Sequence, residues 1–154
     1  MLSQQKAVTA QQQGLFRAEI TTIEVPQAKG EPVVVSDDEQ PRADSSAERL
    51  ARLHPAFKKD GSVTAGNASS LNDGAAAVML MSAQRAATLG LPVLARLTGC
   101  GGAGVDPAVM GIGPVTATQK ALQQAGWKLD QLDLIEANEA FAAQALAVGK
   151  TLSW

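Results

Sequence analysis

The sequence contains little of what several classes of protein require. It has one cysteine, Cys100, and one histidine, His54, among 154 residues, so an internal disulfide is excluded and a zinc cluster is not expected. The low cysteine content is also typical of a reducing compartment. Aromatic residues make up only 3% of the chain, which leaves few side chains on which nucleic acid bases could stack.

Neither the net charge nor the apolar runs indicate a nucleic acid or a membrane as partner. The formal net charge is -2, so the chain lacks the basic footprint of a nucleic-acid-binding domain. No apolar run approaches the roughly 18 residues of a membrane span, and the first residues lack the basic and apolar regions of a secretory signal. We therefore expect a cytoplasmic protein, and the length predicts one domain.

The pattern along the chain predicts helices that alternate with short strands. The first part favours a helix over 4–13, a hairpin of strands 19–25 and 32–35, and a short helix that Ser45 or Ser46 caps before Pro55. The later part favours strands over 75–81, 93–97 and 132–136, and helices over 83–89, 114–126 and 141–148. Such alternation is typical of α/β layers. The apolar strand 75–81 needs sheet neighbours, and an exposed edge there would favour aggregation.

The stretch LTGCGGAGVDP, residues 97–107, matches the G-x-G-x-x-G pattern of dinucleotide sites and holds the only thiol. That pattern requires a helix that opens at the third glycine, but two prolines and two more glycines follow within ten residues. A nucleophilic Cys100 would require a neighbouring base, and nothing local ties His54 to it. We therefore interpret Cys100 as a small packed residue, His54 as a solvated one, and the stretch as a flexible connection.

Three other stretches carry patterns that are far more specific. They are VTAGNASSLNDGAAAVMLMS (63–82), DPAVMGIGPVTATQKALQQAGW (106–127) and LDLIEANEAFAAQALAVGK (132–150). In this order they resemble the thiolase family, nearest to its acetyl-CoA acetyltransferase branch. The resemblance implies an α/β fold of the thiolase-like layered α-β-α-β-α type, here incomplete. It also implies that residues 1–59 end an inserted loop domain, that 60–90 form the last strand and helix of the N-terminal half, and that 91–154 begin the C-terminal half.

The resemblance implies a catalytic role for Asn138. Members of the family transfer acyl groups between CoA thioesters through a covalent cysteine intermediate, and they form or cleave a carbon–carbon bond. One of their oxyanion holes includes a water held by the asparagine of an N-E-A-F motif, which matches Asn138. The structural alternative is that Asn138 only caps the helix that follows it.

The resemblance also implies a site for CoA. Ser69 in GNAS matches a residue that contacts the pantetheine arm, and Ala140 and Phe141 match residues that line the pantetheine tunnel. Phe57 matches an apolar wall near CoA, with plain core as the alternative, and Arg42 matches an arginine at the adenine end, with a solvated loop charge as the alternative. No metal and no cofactor are expected, because the CoA thioesters are substrates.

Several motifs of the family have no counterpart among these 154 residues. These are the nucleophilic cysteine, the H-M-G stretch, the G-H-P histidine and the C-x-G-G-G acid/base cysteine, and Cys100 only imitates the last because it precedes the N-E-A-F motif. We therefore expect an acyltransferase fragment that is inactive alone. The alternatives are a non-catalytic CoA-binding module and a subunit that another chain completes. Members of the family are homo-oligomers, and the oligomeric state of this chain stays open.

Overall fold

The computed structural model describes residues 1–154, which form two compact units, Met1–His54 and Pro55–Trp154. The regular elements are five α-helices and one two-stranded sheet. The helices are α1 (Leu2–Gln12), α2 (Ala47–Ala51), α3 (Ala83–Thr88), α4 (Gly113–Ala125) and α5 (Ala142–Leu152), and the strands are β1 (Ile23–Val25) and β2 (Val33–Val35). Two 3₁₀ helices cover Pro107–Ile112 and Leu129–Gln131. None of these helices has the length and apolar character that crossing a membrane requires.

The first unit confirms the predicted helix and hairpin. Strands β1 and β2 pair antiparallel, with Glu24 opposite Val34. The predicted strand 19–25 begins too early, because the backbone amides of Glu19 and Ile20 donate to the carbonyl of Phe16 in a turn. The side chain of Gln11 in α1 donates to the carbonyl of Asp38 at 3.1 Å, so α1 is tied to the polar segment after the hairpin.

Helix α2 begins at the serine that the sequence predicts. The hydroxyl of Ser46 accepts a hydrogen bond from the Arg49 amide at 3.2 Å, as an N-cap residue does. Glu48 lies in the first turn of this helix. Its pKa is lowered by hydrogen bonds to its carboxylate from its own backbone amide and from the Ser46 hydroxyl. The helix ends at Ala51, four residues before Pro55.

The three helices of the second unit also form where the sequence predicts them. Ser82 caps α3, and α4 ends at Gly126, which adopts the left-handed conformation that favours glycine (φ 70°). Helix α5 begins one residue later than predicted and continues to Leu152, four residues further than predicted. The buried side chains of this unit are Ala86, Val115 and Val148, from α3, α4 and α5.

The predicted strands 75–81, 93–97 and 132–136 do not form. None of them has a ladder partner, and Val78, Met79 and Leu94 are 82%, 82% and 98% exposed. Local preference for extended backbone does not make a strand, since the amide and carbonyl groups need a neighbouring strand to receive their hydrogen bonds. The only strands that pair in this chain are β1 and β2, so none of the three segments receives such a neighbour.

The glycine stretch packs closely against α4, so its prediction as a flexible connection is wrong. A Cβ atom on Gly99 would lie 2.5 Å from the carbonyl oxygen of Ala121, and one on Gly101 would collide with the carbonyl oxygen of Ala117. Ala117 and Ala121 are one turn apart on the same face of α4. The backbone amide of Cys100 donates a hydrogen bond to Oε1 of Gln124 at 2.7 Å. The two glycines therefore let extended backbone approach the backbone of a helix.

We predict that Gly101→Ala destabilises the chain by about 1–3 kcal/mol, because the added methyl group overpacks the contact with α4. The matched control is Gly102→Ala, where an added Cβ would meet nothing within 4 Å, and we expect a change within about 0.5 kcal/mol. Urea unfolding followed by far-UV circular dichroism measures both. Equal stabilities of the two variants would contradict the packing of this stretch on α4.

The exposed apolar segment 75–81 predicts self-association. We expect the wild-type chain to associate as its concentration rises, and Val78→Lys to reduce that association, because a charge on an exposed unpaired segment opposes edge-to-edge pairing. Sedimentation velocity at several concentrations measures the effect. Val148→Lys is the contrasting variant, since Val148 is 2% exposed and the charge should unfold the unit instead. A wild-type chain that stays monomeric at all concentrations would contradict the prediction.

Candidate functional site

A short antiparallel backbone bridge joins the GNAS and NEAF segments in the second unit. The amide of Ser69 donates to the carbonyl of Ala140, and the amide of Ala142 donates to the carbonyl of Asn67, each at 2.9 Å. Ala68 and Phe141 face each other across the bridge. The segments lie more than 70 residues apart in the sequence, so this pairing gathers Ser69, Ala140 and Phe141 in one place.

Phe57 belongs to the same group. Its ring contacts that of Phe141 edge to face, with the centroids 6.1 Å apart and the planes at 82°, a favoured geometry for aromatic pairs. The amide of Ala56 donates to the carbonyl of Val63 at 2.8 Å, which ties the HPAF segment to the loop that leads to Ser69. Phe57 remains 74% exposed, so it is an accessible apolar surface and not the plain core that was the alternative.

The loop that carries Ser69 is held by Asn67, a residue that was not predicted for the site. Asn67 Oδ1 accepts a hydrogen bond from the Thr64 amide, and Nδ2 donates to the Ser62 carbonyl, both at 2.8 Å. The Thr64 hydroxyl accepts a hydrogen bond from the backbone amide of Gly66 at 3.1 Å. The signal in the sequence is the asparagine within a run of small polar residues, since asparagine side chains often close local turns.

Asn138 lies beside this group, with its side chain exposed. It lines a cleft of about 570 Å³ together with Ala140, Met110 and Gln144, whereas Ser69, Phe57 and Phe141 do not line that cleft. The N-cap residue of α5 is Phe141, and no side chain caps this helix. The alternative that Asn138 is a helix cap is therefore wrong, and its amide is available to the cleft.

Gln144 is a second polar residue in the cleft that the sequence analysis did not single out. Its Nε2 donates to the carbonyl of Gly111 at 3.2 Å, and its Oε1 is buried without a hydrogen-bond partner in the protein. A Cβ atom on Gly111 would lie 2.6 Å from the Gln144 side chain. The glycine thus lets the segment before α4 approach the first turn of α5.

Arg42 belongs to the first unit. Its backbone amide donates to the side chain of Gln4 at 2.7 Å, while the residue itself is exposed and its guanidinium forms no ion pair. His54 is exposed at the end of that unit, which confirms its interpretation as a solvated residue. Cys100 is exposed in the second unit, so its interpretation as a packed residue is wrong. No group of histidine, cysteine, aspartate and glutamate side chains in the chain could hold a metal ion.

Two family models match nearly the whole sequence. Residues 1–84 match the thiolase N-terminal domain, and residues 91–154 match the thiolase C-terminal domain. Acetyl-CoA acetyltransferase of Pseudomonas aeruginosa is 70% identical over 152 residues, which cover 99% of this chain and 39% of that protein. This chain therefore spans about two-fifths of the length of such curated relatives.

Solved structures show the same relationship. The chain superimposes on Bacillus anthracis acetyl-CoA acetyltransferase with a TM-score of 0.88 and 53% identity, over 99% of this chain and 38% of that one. Human mitochondrial 3-ketoacyl-CoA thiolase gives a TM-score of 0.84 and 44% identity, with the same coverage. The backbone thus follows the thiolase-like α/β fold, although the strands predicted for its central layers lack partners within this chain. The two family models, the sequence identity and the superposition together show that the chain belongs to the thiolase family.

Proposed function

We propose that this chain provides part of the CoA-thioester site of an acetyl-CoA C-acetyltransferase. Such an enzyme transfers acyl groups between CoA thioesters and forms or cleaves a carbon–carbon bond. The relatives and the solved structures that this chain resembles are acetyl-CoA acetyltransferases and a 3-ketoacyl-CoA thiolase, which supports this class of substrate.

The observation that carries the proposal is the bridge between the GNAS and NEAF segments. It gathers Ser69, Ala140 and Phe141, and the ring of Phe57 contacts that of Phe141. The group combines one hydroxyl with two aromatic faces and the small side chain of Ala140. A narrow, mostly apolar arm with a few polar atoms, such as pantetheine, requires a surface of this kind, on which few polar groups fix the orientation.

Asn138 supplies the chemical function in this proposal. Its amide is neutral, so it can donate a hydrogen bond to a water molecule without a change of protonation. A water held in the cleft would in turn donate to the negative oxygen that develops on the thioester carbonyl in the transition state. The exposure of Asn138 and its place in the cleft with Gln144 support this role.

Arg42 is proposed to contact the adenine end of CoA. A guanidinium can stack on a base and attract phosphate at the same time, and the free guanidinium of Arg42 supports this. We further propose that the protein acts in the cytoplasm, forms homo-oligomers like its family, and needs neither a metal nor a cofactor beside CoA.

We predict that Phe57→Ala weakens CoA binding about tenfold, because loss of an aromatic wall removes on the order of 1–2 kcal/mol of apolar contact. The change should cost little stability, since Phe57 is 74% exposed. Isothermal titration of the chain with CoA measures the affinity. Leu97→Ala is the control matched for exposure, because Leu97 is also 74% exposed in the second unit but is not among the residues gathered at the site. If the two variants bound CoA with equal affinity, the proposed CoA site would be contradicted.

We also predict that the chain binds CoA without cleaving acetoacetyl-CoA. Cleavage requires a thiolate with an activating base, and the residues gathered at the site provide neither. Asn138→Ala should leave CoA affinity within about twofold of wild type, because its contact is made in the transition state. A coupled assay of acetoacetyl-CoA cleavage tests this prediction. Turnover at rates typical of thiolases, abolished by Asn138→Ala, would contradict it.

A further inference from the structure

The side chain of Asn67 uses a donor and an acceptor at the same time. Its Oδ1 accepts from the Thr64 amide and its Nδ2 donates to the Ser62 carbonyl, each at 2.8 Å. The amide thereby closes the turn over 62–67. Among side chains of this length, only asparagine presents an acceptor and a donor in one plane at neutral pH, where aspartate is ionised and only accepts.

The backbone of the same residue belongs to the bridge. The Asn67 carbonyl accepts the Ala142 amide at 2.9 Å, and two residues later the Ser69 amide donates to the Ala140 carbonyl at the same distance. Any change in the turn therefore moves the backbone that pairs with the NEAF segment. Asn67 is itself only half-buried, so its hydrogen bonds, more than its packing, fix the loop.

We propose that Asn67 is the positioning residue of the CoA site, which sets the loop 62–69 so that Ser69 and Phe141 face the pantetheine arm together. This inference rests on the proposed function. Asn67 does not touch the substrate in this scheme, and it acts through the turn and the bridge.

The decisive variant is Asn67→Asp, which has nearly the same shape. Its carboxylate keeps the acceptor for the Thr64 amide but loses the donor to the Ser62 carbonyl, so two oxygens repel each other at that contact. Protonation of the carboxyl restores an O–H donor, and the carbonyl that accepts it favours the protonated form. Binding by this variant should therefore recover as the pH falls.

The experiment is a titration of the 154-residue chain with CoA at pH 8 and pH 5. At pH 8 we expect Asn67→Asp to bind CoA about tenfold more weakly than wild type, as the loss of one hydrogen-bond partner predicts. At pH 5 the difference should be smaller than at pH 8, because part of the carboxyl population is then protonated. Asn67→Ala loses both bonds and should stay weak at both pH values.

Asn72→Asp is the matched control for charge. Asn72 is an exposed asparagine five residues away, with no hydrogen bond from its side chain, so its carboxylate adds the same charge near the anionic CoA without touching the turn. We expect little change in affinity and no recovery at low pH. The inference is overturned if Asn67→Asp binds as wild type does, if its deficit is the same at both pH values, or if Asn72→Asp shows the same recovery.

Hydrogen exchange separates this inference from the proposed function. The Ser69 and Ala142 amides should exchange faster in Asn67→Asp than in wild type at pH 8, and the difference should be smaller at pH 5. If wild type binds no CoA, the proposed function is contradicted, and this exchange then decides whether Asn67 positions the loop. Exchange of both amides that is unchanged by the substitution would overturn the inference even if CoA binds.

Discussion

Two backbone hydrogen bonds, between the segments 67–69 and 140–142, hold the candidate site together. Each is an ordinary amide–carbonyl bond that contributes about 1 kcal/mol, yet they join stretches more than 70 residues apart. Their importance lies in what depends on them, because the contact between the rings of Phe57 and Phe141 and the positions of Ser69 and Ala140 all follow from this pairing. The side chain of Asn67 closes the turn at one end of the bridge, and helix α5 begins at the other.

Close backbone approaches made possible by glycine support the helices on which the site is built. Gly99 and Gly101 allow an extended segment to lie against α4, and Gly111 allows the segment before α4 to meet Gln144 in α5. The NEAF segment leads directly into α5, and α4 packs beside this helix with Val115 in the small core. The glycine-rich stretch that resembles a dinucleotide pattern is thus explained by packing, since a Cβ at either position would meet the backbone of a helix.

The helices and the hairpin could be predicted because their signals are local. Ser46 and Ser82 cap helices, Gly126 ends one, and β-branched residues on both sides of a turn form the hairpin. The predictions of strands over 75–81, 93–97 and 132–136 were wrong for a different reason. A strand depends on a neighbouring strand to pair with, and the apolar pattern of a segment does not specify that neighbour. The site residues came from the family resemblance. Asn67 closes a local turn within a run of small polar residues, so a local pattern could have indicated it. Gln144 instead acts through a hydrogen bond to the carbonyl of Gly111, 33 residues away, which no local pattern reveals.

The candidate site exists in solution only if residues 67–69 and 140–142 pair there as a bridge. Ala68 and Phe141 form the pair whose own amides do not bond across it, so their Hα atoms should be close, with the Cα atoms about 4.5 Å apart. Nuclear magnetic resonance of the isotopically labelled chain can detect this contact directly. We expect a strong Overhauser effect between the Hα atoms of Ala68 and Phe141, and a scalar coupling through the hydrogen bond from Ser69 to Ala140. Absence of both signals in a chain whose helices α4 and α5 are formed would contradict this pairing.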